Sequence, residues 1–332
     1  YLLGSSPAVC ASFLAGNREH PLIPFDAGGT SLYMPNATSL RMGDLGYTSN
    51  AQSSLNVCYN NLDNYLATLS NAIVTPHPSY AQFDVTENGE RAQLNDSLLQ
   101  IENEFYSPIR PKRVAQSGEA PIVALKRGGI EYIEIRCIDI NPFLPLGIDA
   151  QTMRLIDVFL VDAILSESPL CDEDGQRRNQ ENLRRVVNEG RSPDLQLLTP
   201  EGEKPLQTVA QELFNSMSQT AEAMDAEAGS DLHRQAMTAA SARIVDPEST
   251  PSGRVLQEMR DTNTPFWQLA LNYSKQWHKG HLARPLGSIE EAEFHTATAV
   301  SLNQQKAMEQ DTQESFQTYL DRFYNQYRGA DD

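Results

Sequence analysis

The sequence predicts an α+β protein in which short strands and loops precede a helical region. Residues 1–145 contain many Pro and Gly turns between short apolar runs, a pattern that favours strands and loops. From Asp149 onwards, apolar residues recur at spacings of three and four, which is typical of helices with one buried face. Because strands and helices are segregated along the chain, an alternating βαβ fold with a parallel sheet is disfavoured.

Local signals mark the ends of several predicted helices. Asp149 is suited to N-cap the first of them, and Gly229 is suited to terminate an amphipathic helix. Ser288 and Glu291 have the spacing of a capping box, in which two side chains satisfy the first N–H groups of a helix. The remaining signals are Thr264-Pro265 as a helix start and the apolar face Phe316, Leu320, Phe323 and Tyr327 of a final helix.

The composition excludes several classes of partner. The 332 residues carry a net charge of −18, so nucleic acid and anionic membranes, which attract Lys and Arg, are not expected partners. The longest apolar stretch, residues 155–165, is much shorter than the ~20 residues that span a bilayer. The cysteines are widely spaced and match neither a zinc site nor a disulfide framework. We therefore expect a cytoplasmic protein.

The clearest strand pattern lies between Gly129 and Asp139. Successive side chains of a strand point to opposite faces, so Tyr132, Glu134 and Arg136 would share one face of the strand. The opposite face would be apolar. A carboxylate beside a guanidinium can bind a metal ion and a phosphate group, although an exposed strand face with an ion pair would explain the same pattern.

Two neighbouring segments add charged side chains. Residues 100–106 also alternate, and as a strand they would place Glu102 and Glu104 on one face. Carboxylates from several strands of one sheet can hold Mg²⁺. The next segment is predicted to be a proline-stiffened loop with three cations, Arg110, Lys112 and Arg113. Such a loop favours phosphate binding, with a solvated basic turn as the alternative. The common phosphate-binding motifs GxGxxG and GxxxxGK[ST] do not occur in the sequence.

Several long motifs together resemble one protein family. They are YLLGSSPAVC at 1–10, ATSLRMGDLGYT at 37–48, LQIENEFYSPIRPKR at 99–113, RGGIEYIEIR at 127–136 and DINPF at 139–143. These motifs closely resemble glutamate–cysteine ligases of the bacterial single-chain type. The resemblance implies a curved antiparallel sheet of the glutamine synthetase and guanidino-kinase type. It also implies ATP-dependent joining of the glutamate γ-carboxyl to the cysteine amine through γ-glutamyl phosphate, with Mg²⁺ or Mn²⁺ as cofactor.

The same resemblance implies roles for individual residues. Glu134 matches a glutamate that ligates the metal, and Arg136 matches an arginine that contacts the transferred phosphoryl group or the glutamate substrate. The residues that match the cysteine pocket are Arg41, Tyr47 and Tyr106. The candidates to which the resemblance assigns no individual role are Glu102 and Glu104 for the metal, and Arg110, Lys112 and Arg113 for the ATP phosphates.

The resemblance also predicts how the chain is organised. Residues 1–168 would be the C-terminal part of a ligase catalytic domain, and residues 169–332 a mainly helical region. Family members are longer, and this chain begins at Tyr1 without an initiator Met. We therefore expect a C-terminal portion that is inactive alone and monomeric when full length. Two alternatives are open: a related carboxylate–amine ligase that uses another amine, and a non-catalytic fragment or binding protein.

Overall fold

The chain contains helices and short strands in an α+β arrangement. The structure, a computed structural model, describes residues 1–14, 20–46, 52, 55–83, 86–87, 90–311 and 314–328. The strands are β1 (Ala8–Cys10), β2 (Ile23–Pro24), β3 (Ser31–Tyr33), β4 (Thr86–Glu87), β5 (Glu90–Arg91), β6 (Ile109–Lys112), β7 (Tyr132–Ile135), β8 (Gln196–Thr199) and β9 (Gly202–Pro205). The helices are α1 (Leu62–Val74), α2 (Pro78–Ala81), α3 (Pro121–Gly128), α4 (Ala150–Leu165), α5 (Glu173–Glu189), α6 (Leu206–Ala228), α7 (Leu232–Val245), α8 (Pro251–Thr262), α9 (Phe266–Leu282), α10 (Ser288–Asp311) and α11 (Phe316–Arg328).

Two compact units make up the chain, and each is assembled from two separate stretches of sequence. The first unit comprises Tyr1–Ser49 and Arg136–Lys275, and the second comprises Asn50–Ile135 and Gln276–Asp332. Pairs of neighbouring strands are antiparallel in both units, so the predicted α+β class is confirmed. The predicted division at residue 168 concerns where the catalytic part of the chain ends, and it stays a prediction.

The first unit is built on antiparallel strands and a helical cluster. Strand β3 pairs with β1 on one side and β2 on the other. Helices α4, α6 and α7 pack around Val158, Met217 and Ala221, all buried. Met217 and Ala221 are four residues apart and so lie on one face of α6. Burial of such apolar faces supplies the driving force for packing.

The second unit is centred on three helices that the chain brings together from distant positions. Helices α1, α3 and α11 bury Leu69, Ile73 and Leu125 in one core. The final helix was predicted from its apolar face and is confirmed. Helix α1 corrects the expectation of strands and loops throughout residues 1–145. Its signals are local: Asn61 accepts a hydrogen bond from the N–H of Asn64 as an N-cap, and an apolar face follows.

Most of the predicted helix ends are confirmed. Asp149 accepts a hydrogen bond from the N–H of Thr152 at 2.8 Å and so N-caps α4. Gly229 ends α6 in the left-handed region at φ 60°. At the start of α10 the predicted Ser288–Glu291 capping box is wrong by one residue. The Gly287 N–H donates instead to the carboxylate of Glu290, because helix α10 begins at Ser288 rather than after it. Among the described helices, none is both long enough and apolar enough to cross a bilayer.

Candidate functional site

Strands β6 and β7 form an antiparallel pair that carries the strongest predicted motif. The register places Arg110 opposite Glu134 and Lys112 opposite Tyr132. The predicted strand is therefore confirmed between Tyr132 and Ile135, but it is shorter than the alternating pattern. The next pair would set Pro108 against Arg136, and proline has no N–H to extend the ladder. Arg136 thus lies just beyond the strand, in the segment without regular secondary structure that follows it.

The basic segment is a strand, and the prediction of a loop there is wrong. Its prolines do not prevent pairing, because each strand of a two-stranded sheet needs to donate on one side only. On one face of the β6–β7 pair, Lys112 Nζ lies 3.6 Å from the Glu134 carboxylate. Arg110 is buried on the same face and donates to the Asn103 carbonyl at 3.1 Å. Two cations therefore accompany one carboxylate on this face.

Exposure varies along both faces of the β6–β7 pair. On the apolar face Ile109 and Ile133 are 37% and 41% exposed, and on the polar face Tyr132 is 49% exposed whereas Arg110 is 4% exposed. Alternation along the sequence correctly predicts that Tyr132 and Glu134 share a face. It does not predict how far the rest of the protein covers each side chain.

Two tyrosines and a serine support the end of β6, and sequence reasoning did not identify them. The Tyr59 hydroxyl forms a short hydrogen bond with the Ser107 hydroxyl and donates to the Ile109 carbonyl at 3.1 Å. Burial raises the pKa of Tyr59, and burial likewise raises the pKa of Tyr65 beside it. Both phenols therefore stay neutral near pH 7 and hold the strand end as hydrogen-bonding and packing groups.

Glu102 and Glu104 do not lie on a strand, so the predicted second carboxylate strand is wrong. Residues Glu102–Glu104 form a short 3₁₀ turn. The buried Glu102 carboxylate accepts from the Ile122 N–H at 3.1 Å, near the start of α3, and from the Tyr327 hydroxyl at 2.6 Å. Glu104 accepts from the Gln100 N–H at 2.7 Å. Bonds from main-chain N–H groups to these carboxylates replace a strand ladder. The Ile122 N–H and the Tyr327 hydroxyl together engage both oxygens of Glu102.

The other predicted residues of the second unit lie in different surroundings. Arg113 donates to the Gly129 carbonyl at 2.6 Å and to the Gly128 carbonyl, so it caps the C-terminal end of α3 as cations favourably do. The Tyr106 side chain is largely exposed, and its main-chain N–H donates to Gln52. Tyr47 lies outside the residues that the structure describes.

In the first unit, Arg41 joins the segment that follows β7. Its Nε donates to the Asp139 carboxylate at 2.7 Å, and its Nη2 donates to the carbonyls of Arg136 and Ile138 at 3.2 and 3.1 Å. The structure thus brings Arg41 to the main chain of Arg136, both predicted site residues. Asp139 is part of the quoted DINPF motif, but sequence reasoning gave it no role. Its position in the motif was the available signal.

The described residues do not by themselves form a metal site. No group of three or more His, Cys, Asp or Glu side chains that could hold a metal ion occurs in the part of the chain that the structure describes. In the β6–β7 pair the Lys112 ammonium lies 3.6 Å from the Glu134 carboxylate, whereas Mg²⁺ takes several oxygen ligands. Glu134 offers one such ligand, and the predicted companions Glu102 and Glu104 are engaged elsewhere.

The polar face of the β6–β7 pair combines two cations with one carboxylate. Lys112, Arg110 and Glu134 share one face of an antiparallel pair, and guanidinium and ammonium groups on a rigid strand suit phosphoryl oxygens. The family model for glutamate–cysteine ligase matches residues 1–186. The chain therefore belongs to the glutamate–cysteine ligase family.

Individual relatives agree with this assignment. Glutamate–cysteine ligases from Pseudomonas paraeruginosa and Janthinobacterium sp. are each 43% identical to the chain, over 320 and 326 residues. These alignments cover 96% and 98% of this chain and 60% and 61% of the relatives. The chain thus spans about three fifths of the length of the curated relatives it matches.

Two solved structures are similar to the chain. The crystal structure of glutamate–cysteine ligase from Francisella tularensis in complex with AMP matches with a TM-score of 0.90 at 29% identity, covering 99% of this chain and 64% of that one. A bifunctional glutathione synthetase from Pasteurella multocida matches with a TM-score of 0.56 at 19% identity, covering 83% of this chain and 30% of that one. The second match concerns the fold alone.

Proposed function

We propose that this chain is part of an enzyme that joins L-glutamate to L-cysteine at the expense of ATP, giving γ-glutamylcysteine, ADP and phosphate. The observation that carries the proposal is the fold match along 99% of the chain to a glutamate–cysteine ligase that binds AMP. The 43% identical relatives support the same substrates. The proposal extends to the fold class, a curved antiparallel sheet of the glutamine synthetase and guanidino-kinase type.

The reaction needs an activated carboxyl group, because a free carboxylate is a poor electrophile. In the proposed reaction an oxygen of the glutamate γ-carboxylate attacks the γ-phosphorus of ATP, ADP leaves, and γ-glutamyl phosphate forms. The cysteine amine then attacks the acyl carbon, the acyl C–O bond to phosphate breaks, and the amine loses a proton. Negative charge develops on phosphoryl oxygens in the first step, so preorganised cations stabilise the transition state.

Residues of this chain supply such cations. Arg136 is the proposed phosphoryl or glutamate contact, and Lys112 is the preferred phosphate contact of the basic strand. Arg110 already donates to Asn103, and Arg113 already caps α3, so each has less freedom to bind a ligand. Lys112 Nζ lies 3.6 Å from the carboxylate of Glu134, a distance that leaves room for a phosphate to compete.

The cysteine pocket and the metal stay predictions from the family resemblance. Arg41, Tyr47 and Tyr106 are the proposed contacts to cysteine. Mg²⁺ or Mn²⁺ is the proposed cofactor, with Glu134 as one ligand, and the described residues alone do not complete that site. A cytoplasmic location and a monomeric full-length enzyme are also proposed.

The test is an ADP-release assay with glutamate, cysteine and Mg-ATP, with γ-glutamylcysteine identified by mass spectrometry. The assay is run on the 332-residue chain and on a ligase of the relatives' full length that contains it. Omission of glutamate should abolish ADP release, and omission of cysteine should abolish sustained ADP release and product formation. A panel of other amines, offered in place of cysteine, tests for a related carboxylate–amine ligase. If the longer protein releases no ADP with any amine, the chain is a non-catalytic binding protein and the proposal is wrong.

A further inference from the structure

Two segments of the first unit converge on the carboxylate of Asp139. The main-chain N–H of Ser5 and the hydroxyl of Ser6 donate to its Oδ2 at 2.8 and 2.9 Å. Arg41 Nε donates to its Oδ1 at 2.7 Å. The Asp139 side chain is 1% exposed. A buried carboxylate is costly unless it is paired and hydrogen-bonded, and these donors supply both conditions.

Arg41 extends this cluster to the main chain of the motif that follows β7. Because its Nη2 donates to the carbonyls of Arg136 and Ile138, the guanidinium holds the backbone on both sides of Cys137. The Arg41 side chain is still 37% exposed. It therefore combines anchored donors with a surface that a ligand can reach. The planar guanidinium, whose donors point in fixed directions, suits such a bridging position.

We propose that Asp139 is a positioning residue, which fixes the orientation of the Arg41 guanidinium and, through it, the main chain at Arg136. The inference deepens the proposed function and rests on it, because Arg41 and Arg136 are its proposed substrate contacts. Asp139 itself is buried and does not touch a substrate. Its effect on the reaction passes through Arg41, since a guanidinium released from Asp139 samples other rotamers and loses its preorganisation.

The experiment substitutes Asp139→Asn in a ligase of the relatives' full length that contains this chain. Asparagine keeps the size and the acceptor oxygen but removes the charge that holds Arg41. We expect the KM for cysteine to rise about ten- to hundredfold, in line with a lost hydrogen bond to a charged group, and the KM for ATP to change less than threefold.

The matched control is Asp162→Asn. Asp162 is another buried carboxylate of the same unit, and it accepts from the hydroxyls of Ser216 and Thr220 at 3.0 and 2.8 Å. Its substitution should lower thermal stability and leave the KM for cysteine unchanged. A general loss of packing would instead affect both variants alike.

A double-mutant cycle tests whether Asp139 acts through Arg41. In the Arg41→Ala background, Asp139→Asn should change the KM for cysteine less than twofold, because the group that it positions is gone. If the two substitutions raise the KM for cysteine independently, so that their effects multiply, the proposal is overturned. An unchanged KM for cysteine in the Asp139→Asn single variant would also overturn it. If Asp139→Asn does not fold, the KM for cysteine is measured in the Ser6→Ala variant instead. A KM raised at least twofold supports the proposal, and an unchanged KM refutes it.

The outcome separates this inference from the proposed function. If the unsubstituted ligase makes γ-glutamylcysteine and Asp139→Asn behaves normally, only the positioning role fails. If the enzyme accepts another amine, the KM of that amine replaces the KM of cysteine in the same comparison. If no amine supports turnover, the proposed function and the positioning role fail together.

Discussion

Removal of the Tyr327 hydroxyl should destabilise the second unit, because the buried Glu102 carboxylate would lose a hydrogen-bond donor. The hydroxyl donates to Glu102 at 2.6 Å, and both residues are buried. Burial first, and then the nearby Glu102 charge, raise the pKa of Tyr327 above its ordinary value of 10. The phenol therefore stays protonated and donates at neutral pH. In Tyr327→Phe, the carboxylate would retain the Ile122 N–H as its remaining protein donor among the described contacts.

The expected cost follows from the charge of the acceptor. A hydrogen bond to a charged group contributes about 1.5–3 kcal/mol to the free energy of unfolding. For a unit of this size each kcal/mol lowers the Tm by roughly 2–4 °C, so we expect a decrease of roughly 3–12 °C. Thermal unfolding followed by circular dichroism measures the change.

Tyr324→Phe is the control, on the same helix α11. The Tyr324 hydroxyl donates to the neutral Gln100 carbonyl at 2.9 Å, and loss of a bond to a neutral acceptor costs only about 0.5–1.5 kcal/mol. An equal or larger loss of stability in Tyr324→Phe would refute the interpretation that Glu102 is a charged acceptor with a structural role. So would a Tyr327→Phe variant of normal stability with an altered Mg²⁺ requirement, since Glu102 would then act at the metal.

Three further predictions concern single side chains. Glu134→Gln should reduce turnover at least tenfold and raise the Mg²⁺ requirement, because an amide is a poorer ligand for a hard cation. Glu131→Gln, three residues away and just before β7, should leave both the turnover and the Mg²⁺ requirement within twofold in the same ADP-release assay. Tyr106→Phe should raise the KM for cysteine by one to two decades, about 1.5–3 kcal/mol, and equal effects on ATP would contradict an acceptor pocket. Two arginine donors lower the pKa of Glu181 to about 2 from 4.5. The resulting stabilisation should be present above pH 4.5 and lost as the pH falls through about 2. Since Glu181 is at the surface, this stabilisation should stay below about 1 kcal/mol. The urea midpoints of Glu181→Gln and of the unsubstituted protein should converge as the pH falls. A difference between the two midpoints that does not depend on pH would exclude the ion pairs as the cause of the stabilisation.

The sequence alone determined features that depend on residues a few positions apart. The alternation around Glu134 predicted the strand and the side chains that share its face. The cap at Asp149 and the left-handed end at Gly229 were predictable because each involves one helical turn. The family was recognisable for a similar reason, since its motifs are continuous stretches of sequence.

Only the tertiary structure decided which charged groups are buried and what they contact. Glu102 has the same local pattern as a strand carboxylate, yet it binds Tyr327, which is 225 positions away. Arg41 pairs with Asp139 across 98 positions. Neither partner is visible in a local pattern, because a buried charge takes whichever donor the folded chain brings within hydrogen-bonding distance. The burial of Arg110 in the β6–β7 pair was likewise set by packing: alternation creates two faces, and the surrounding elements determine which side chains are removed from water.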